Sequence, residues 1–371
     1  MSSIRGRQSL LIRRSRLVVG PHRGAPAATL RNAIGCLLVL GFALSFAGGA
    51  RADDRPLASP DRPGPALSIP EATMAAALHC TASVEHATRS PVLLSPGTGS
   101  TAQESFGWNY QPALTARGIP WCGLDSPDHT LADIQDQGEY FVFAIRRMHR
   151  MSGQKVSIIG HSQGGMNFRW ALRYWPDVRG MVDDTISLGG DNHGTETVNT
   201  LGACSQECFP AAWQQIPGSE FLRALNNPAE TFAGLSYTQI YTNYDTLSTP
   251  AGADGTTPLR TGAGDITNVA LQDVCPANTA DHSAIGTTDP VAFALAMNAL
   301  DHPGPAAPDR IDRSVCAQSS YPGVDPSGAP ASSSGLPYQM SAALPINLVE
   351  VNKTKQPPAM RCYVYADCVS P

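Results

Sequence analysis

The chain reads as an α/β domain, a mostly parallel central sheet with helices on both faces, and three observations lead there. From Thr73 onward, short apolar runs of strand character alternate with stretches of helical spacing. One run, Val156 to Ile159, ends in Gly160-His161-Ser162-Gln163-Gly164-Gly165, and helical spacing resumes directly after it. No internal repeat is visible, and neither Gly/Ser/Thr/Pro-rich loop, 246–264 or 317–337, is followed by enough chain for a second core. A single domain over 73–371 is expected.

The chain has 371 residues, and its first 52 differ in kind from the rest. Arg5, Arg7, Arg13, Arg14, Arg16, Arg23 and Arg31 precede an apolar run, Ala33 to Ala47, and Ala50-Arg51-Ala52 follows, with no acidic residue throughout. A basic stretch, an apolar stretch of about 15 residues and a small-x-small site read as a cleaved signal peptide, since a spanning helix needs roughly 20. The protein is therefore expected to be secreted, without stable membrane insertion. Residues 53–72, rich in Pro, Asp and Arg, read as a flexible amino-terminal tail.

The elements then follow in order. Pro91 to Leu94 is a buried strand ending in the turn Ser95-Pro96-Gly97-Thr98-Gly99. Ile134, Tyr140, Phe141, Ala144, Ile145 and Met148 form an apolar stripe on a helix within Leu131 to Met151. Val156 to Ile159 is a strand, and Met166, Trp170 and Tyr174 repeat at i, i+4, i+8 on the helix after it. Val182 to Leu188, Thr238 to Tyr244 and Ile266 to Leu271 are further strands.

Composition narrows the partners. The whole chain carries 26 basic and 31 acidic side chains. The leader holds eight arginines, so its removal leaves 18 against 31, a net charge near −13. Such a surface repels nucleic acid and anionic membrane. Of nine cysteines, Cys36 leaves with the leader, and Cys80, Cys122, Cys204, Cys208, Cys275, Cys316, Cys362 and Cys368 remain. An even count in an exported chain reads as disulfides. The close pairs Cys204/Cys208 and Cys362/Cys368 have no histidine at ligand spacing, so bridges are favoured over a metal site.

The one G-x-S-x-G match, at Gly160–Gly164, sits between a strand and a helix, where an α/β-hydrolase places its nucleophile elbow. Ser162 must take a strained backbone conformation to expose its oxygen, and its neighbours must be small to let the chain turn. The helix start adds free N–H groups beside it. A base is needed next, in the chain order Ser, acid, His. His193, His282 and His302 follow Ser162. His193 leaves too little chain for an acid-bearing strand, and His302 falls at a helix end, so His282, after the last strand, is the expected base. Asp245 closes the run Thr238 to Tyr244, whereas Asp254 and Asp265 lie in a Gly/Thr-rich loop; Asp245 is the expected acid. The Gln163 N–H and the loop holding Thr98 are the expected oxyanion donors.

With these residues in place, the chain resembles the Candida antarctica lipase B-like family of α/β-hydrolase serine lipases and esterases. The matching stretches are LLSPGTGSTAQESF (93–106), GHSQGG (160–165), AAWQQ (211–215), the strand running into Asp245, and DVCPANTADH (273–282). The resemblance implies a Ser162–Asp245–His282 triad and an oxyanion hole of Thr98 and Gln163. It also implies that Asp191 and Gln215 line the acyl-binding cleft, that Cys80–Cys122 and Cys275–Cys316 are disulfides, and that no metal or cofactor takes part. The expected reaction is hydrolysis of a hydrophobic or lipid ester by a monomer. Two further readings are an acyltransferase using the same triad and a non-catalytic surface-binding protein on the same scaffold. Several features depart from the family. Gly160-His161 stands where its best-known member has Thr-Trp, Cys204–Cys208 reads as an added small bridge, and Cys362 and Cys368 are closer together than the family's last pair. The Ala-rich helix near the family's carboxyl end is missing, so a more open cleft is expected.

Overall fold

A computed structural model describes residues 55–200, 204–325, 327 and 352–368 of the chain. Seven strands form one sheet: β1 (Leu78–Cys80), β2 (Val92–Ser95), β3 (Trp121–Leu124), β4 (Val156–His161), β5 (Val182–Leu188), β6 (Ser236–Tyr241) and β7 (Asp265–Ala270). Their spatial order is β1-β3-β2-β4-β5-β6-β7, with β1 antiparallel to β3 and every other neighbour parallel. This is the α/β-hydrolase arrangement, with β4 at the centre. The strands β1 and β3, too short and mixed for a sequence signal, extend the edge and are joined opposite one another by Cys80–Cys122.

The sheet separates two apolar layers, and the alternation of strand side chains divides them. Leu93 and Ile158 pack with Phe141, Met166 and Trp170 on one side. Val92, Leu94 and Ile159 pack with Tyr110, Phe293 and Leu295 on the other. The helix Ile134–Ser152 starts where the Asp133 carboxylate accepts from Gln135 N–H, and it ends at Gly153, whose φ of 65° suits a left-handed cap. Its Gly138 lets the helix Gly164–Tyr174 approach: a Cβ there would sit 2.5 Å from Trp170 Cδ1.

Two sequence expectations are corrected. Thr238 to Tyr244 is strand only as far as Tyr241, so Asp245 lies on the loop beyond β6 rather than at the strand's end. Residues 55–70 are irregular but are not a free tail. Leu57 bridges Tyr365, Ala58 N–H donates to Val364 O, and Arg173 and Trp175 donate to the carbonyls of Ala58 and Pro65. Proline-rich backbone leaves its carbonyls unpaired, and buried donors on the core supply the partners that composition does not reveal. The leader, residues 1–52, and most of 317–345 lie outside the described residues, as does the cleft-opening expectation that rests on the latter. The eight remaining cysteines pair as Cys80–Cys122, Cys204–Cys208, Cys275–Cys316 and Cys362–Cys368. Among the described residues no helix is long and apolar enough to cross a membrane.

Candidate active site

The centre of the sheet delivers β4 into a turn that only small residues permit. Ser162 has φ 55°, in the left-handed region that non-glycine residues seldom enter. Its N–H donates to Leu188 O and its carbonyl accepts from Gly165 N–H, which holds the turn from both sides. A Cβ on Gly160 would lie 2.1 Å from Gly164 O, and one on Gly164 would lie 2.3 Å from both Ser95 O and Pro96 O. The glycines thus admit the close passage of strand, helix and the loop after β2. That loop presses against the serine: a Cβ on Gly97 would be 3.0 Å from Ser162 Cβ.

The loops after β6 and β7 bring Asp245 and His282 together. His282 Nδ1 lies 2.8 Å from Asp245 Oδ2, and both side chains are almost wholly buried. The other carboxylate oxygen, Oδ1, accepts from the backbone N–H groups of Leu247 (2.9 Å) and Ser248 (2.7 Å), which fixes the plane of the acid. His282 is the first residue of a short helix whose cap, Asp281, accepts from Ala284 N–H. Burial, the largest influence on His282, pushes its pKa down. The Asp245 charge and hydrogen bond, with Asp191 and Asp281 beyond, more than offset this and hold it above the usual 6.5. Burial would raise the Asp245 carboxyl, but His282 and the two backbone donors hold it below its ordinary value. With Nδ1 engaged by Asp245, the ring's remaining nitrogen is Nε2. No hydrogen bond between Nε2 and the Ser162 hydroxyl is formed, a contact that in unliganded sites often tightens only around a substrate.

Behind the base stands a second histidine. His161 is fully buried; its Nε2 donates to the carbonyl of His282 (2.9 Å) and the ring centroids are 5.0 Å apart. Burial, then the neighbouring His282, lowers its pKa to about 3, so it is a neutral donor. Room for the ring comes from Gly286, where a Cβ would sit 2.3 Å from it.

Around Thr98 and Gln163 a set of amides closes. The Thr98 hydroxyl donates to Gln163 Oε1 (2.7 Å), Gln215 Nε2 donates to the same oxygen (3.1 Å), and Gln163 Nε2 donates to Thr130 O (2.9 Å). Gln215 is therefore brought to the Thr98–Gln163 pair. Asp191 follows β5 and is 1% exposed, with neither carboxylate oxygen hydrogen-bonded among the described residues. Burial raises its pKa to about 6. The rival bases are occupied elsewhere. His193 Nε2 pairs with Glu230 (2.5 Å) and its Nδ1 with Thr256 O (2.8 Å), while His302 Nδ1 contacts Asn298 O (3.0 Å). Among the described residues no group of three or more His, Cys, Asp or Glu side chains could hold a metal.

No family model matches the chain. The chain is 31% identical over 244 residues to lipase B of Pseudozyma antarctica, covering 65% of this chain and 70% of that protein. This chain belongs to the lipase B family. In three dimensions it is similar to Aspergillus fumigatus lipase B, with a TM-score of 0.71 at 30% identity over 81% of this chain and 73% of that one. Membership makes the protein a carboxylic ester hydrolase of the α/β-hydrolase fold. Two residues of the site gave no usable sign in the sequence. Thr130 carries no glycine to announce its backbone, and His161 shows its contact with His282 only once β4 and the last loop meet.

Proposed function

We propose that the protein is a secreted, monomeric serine hydrolase that cleaves hydrophobic or lipid esters through an acyl-enzyme on Ser162. The reading rests on one observation above the others. A serine at φ 55° on the turn after the central strand shares its end of the sheet with a buried Asp245–His282 pair 2.8 Å apart. In this mechanism His282 Nε2 takes the Ser162 proton as the hydroxyl oxygen adds to the ester carbonyl. Asp245 keeps the proton of His282 on Nδ1 and stabilises the imidazolium. The Gln163 N–H and the Thr98 loop receive the oxyanion. The imidazolium then protonates the departing alkoxide, and water repeats the sequence on the acyl-enzyme, releasing the acid.

The similarity to proteins named lipase B supports a lipid or other hydrophobic ester as substrate. Four disulfides and the basic-then-apolar leader support export to an oxidising compartment. A fluorophosphonate probe tests the nucleophile: the protein should be labelled once, and Ser162→Ala should lose both the label and ester hydrolysis. A Ser162→Ala variant that still turns over p-nitrophenyl butyrate would refute the assignment.

A further inference from the structure

The segment Asp128-His129-Thr130 has three consecutive non-glycine residues in the left-handed region, with φ of 52°, 54° and 66°. Single residues visit this region; runs of them do not, and a β-branched threonine is among the least suited to it. Such a backbone persists only where its surroundings over-determine it. Here the surroundings are the two donors assigned to the oxyanion. Thr130 is 1% exposed; its Oγ1 shares its one proton between Gly97 O (2.8 Å) and His129 O (2.5 Å) and accepts from Gly99 N–H (3.1 Å), so it touches the residues on either side of Thr98. Gly99 N–H also donates to His129 O (2.8 Å). The Thr130 carbonyl accepts from Gln163 Nε2 (2.9 Å) and from Gln137 Nε2 (3.0 Å). With its nitrogen held there, the Gln163 amide turns Oε1 toward the Thr98 hydroxyl, which donates to it at 2.7 Å.

We propose that Thr130 is a positioning residue of the oxyanion hole, its side chain holding the loop around Thr98 and its carbonyl holding Gln163. The left-handed run explains how one residue does both. At φ 66° the side chain meets the Gly97–Gly99 backbone while the carbonyl meets the Gln163 amide. The inference rests on Thr98 and Gln163 being the oxyanion donors.

Thr130→Gly is the informative variant. Glycine accepts the positive φ freely, so the turn survives while the buried side chain, and with it the hydroxyl clamp on Gly97 and Gly99, is removed. Turnover of p-nitrophenyl butyrate is measured per active site titrated with a phosphonate, alongside KM and inhibition by a trifluoromethyl ketone, whose tetrahedral adduct needs the same donors. Misplaced donors act on the transition state, so turnover per titrated site should fall at least about tenfold while KM changes less than about threefold. Inhibition by the ketone should weaken in parallel, and Thr130→Ser, which keeps the hydroxyl, should stay close to wild type. A purely structural role would lower the titrated fraction and leave turnover per site unchanged; a fall of less than tenfold per site in Thr130→Gly overturns the proposal. Should that variant not fold, Thr130→Val, which keeps the shape without the hydroxyl, is judged by the same criterion. Ser162→Ala run beside it separates the two readings. If it stays active, the serine mechanism itself fails; if it is inactive and Thr130→Gly is unimpaired, only the role of Thr130 falls.

Discussion

Replacing Asp245 with Asn changes one atom, and the surroundings decide which way the amide must face. Oδ1 accepts from two backbone N–H groups, those of Leu247 and Ser248, while Oδ2 meets His282 Nδ1. Turning the amide nitrogen toward the loop would leave two buried donors facing a third, at about 1–3 kcal/mol each. The preferred orientation is then favoured by roughly 2–6 kcal/mol, or at least about thirtyfold in population. It places the amide NH2 against His282 Nδ1, which can only accept from it. The proton of neutral His282 moves to Nε2, where it faces Ser162 and blocks proton abstraction. Loss of the correct tautomer lowers kcat by about 10³–10⁴-fold. The loop keeps its two backbone bonds, so Tm should change little. The imidazole also loses the charge that raises its pKa, so whatever activity remains should have its acid limb displaced to lower pH. The assay is kcat/KM for p-nitrophenyl butyrate from about pH 5 to 9, with circular dichroism as the check on folding. Activity of Asp245→Asn within tenfold of wild type would refute the tautomer argument.

Other substitutions test the supporting structure. Gly164→Ala places a methyl 2.3 Å from two carbonyl oxygens that cannot both retreat, so it should destabilise the fold by about 1–3 kcal/mol and cut turnover by displacing the Thr98 loop; calorimetry and kinetics check this. His193→Ala should keep ester hydrolysis within about threefold, because His193 is bound to Glu230 and not to Ser162, while His282→Ala should abolish it. Burial alone would raise the pKa of Glu230, yet the bonds from His193 and Arg260 N–H and the Arg169 charge lower it to about 2 from 4.5. A depressed carboxylate stabilises the fold above its unfolded pKa, and that contribution fades as pH falls from about 4.5 toward 2. Discounted for solvent screening it is roughly 1–2 kcal/mol, and urea titrations should show Glu230→Gln flattening the acid side of the stability profile.

The local code carried much of this molecule. The turn at Gly160–Gly165 was legible because a strained serine needs small neighbours, and that need is written in adjacent residues. The run Val182 to Leu188 is β5 to the residue: Val182, Thr185, Ile186 and Leu188 carry the strand signal, and Asp184 and Ser187 are buried among them. Asp245 and His282 were reachable by order along the chain and are in contact in the fold, although β6 stops at Tyr241 and a turn carries the acid. Contacts between distant segments were not legible. Residues 55–70 look disordered by composition, and the bridge to Tyr365 together with bonds to Arg173, Trp175, Arg179 and Glu139 holds them in place. Thr130 is an ordinary threonine in an ordinary stretch, and its left-handed backbone exists because Gly97, Gly99, Gln137 and Gln163 converge on it from three other segments. A motif records what its own neighbours require, whereas a clamp of this kind is imposed by groups far away in sequence and takes shape only when the sheet brings them together.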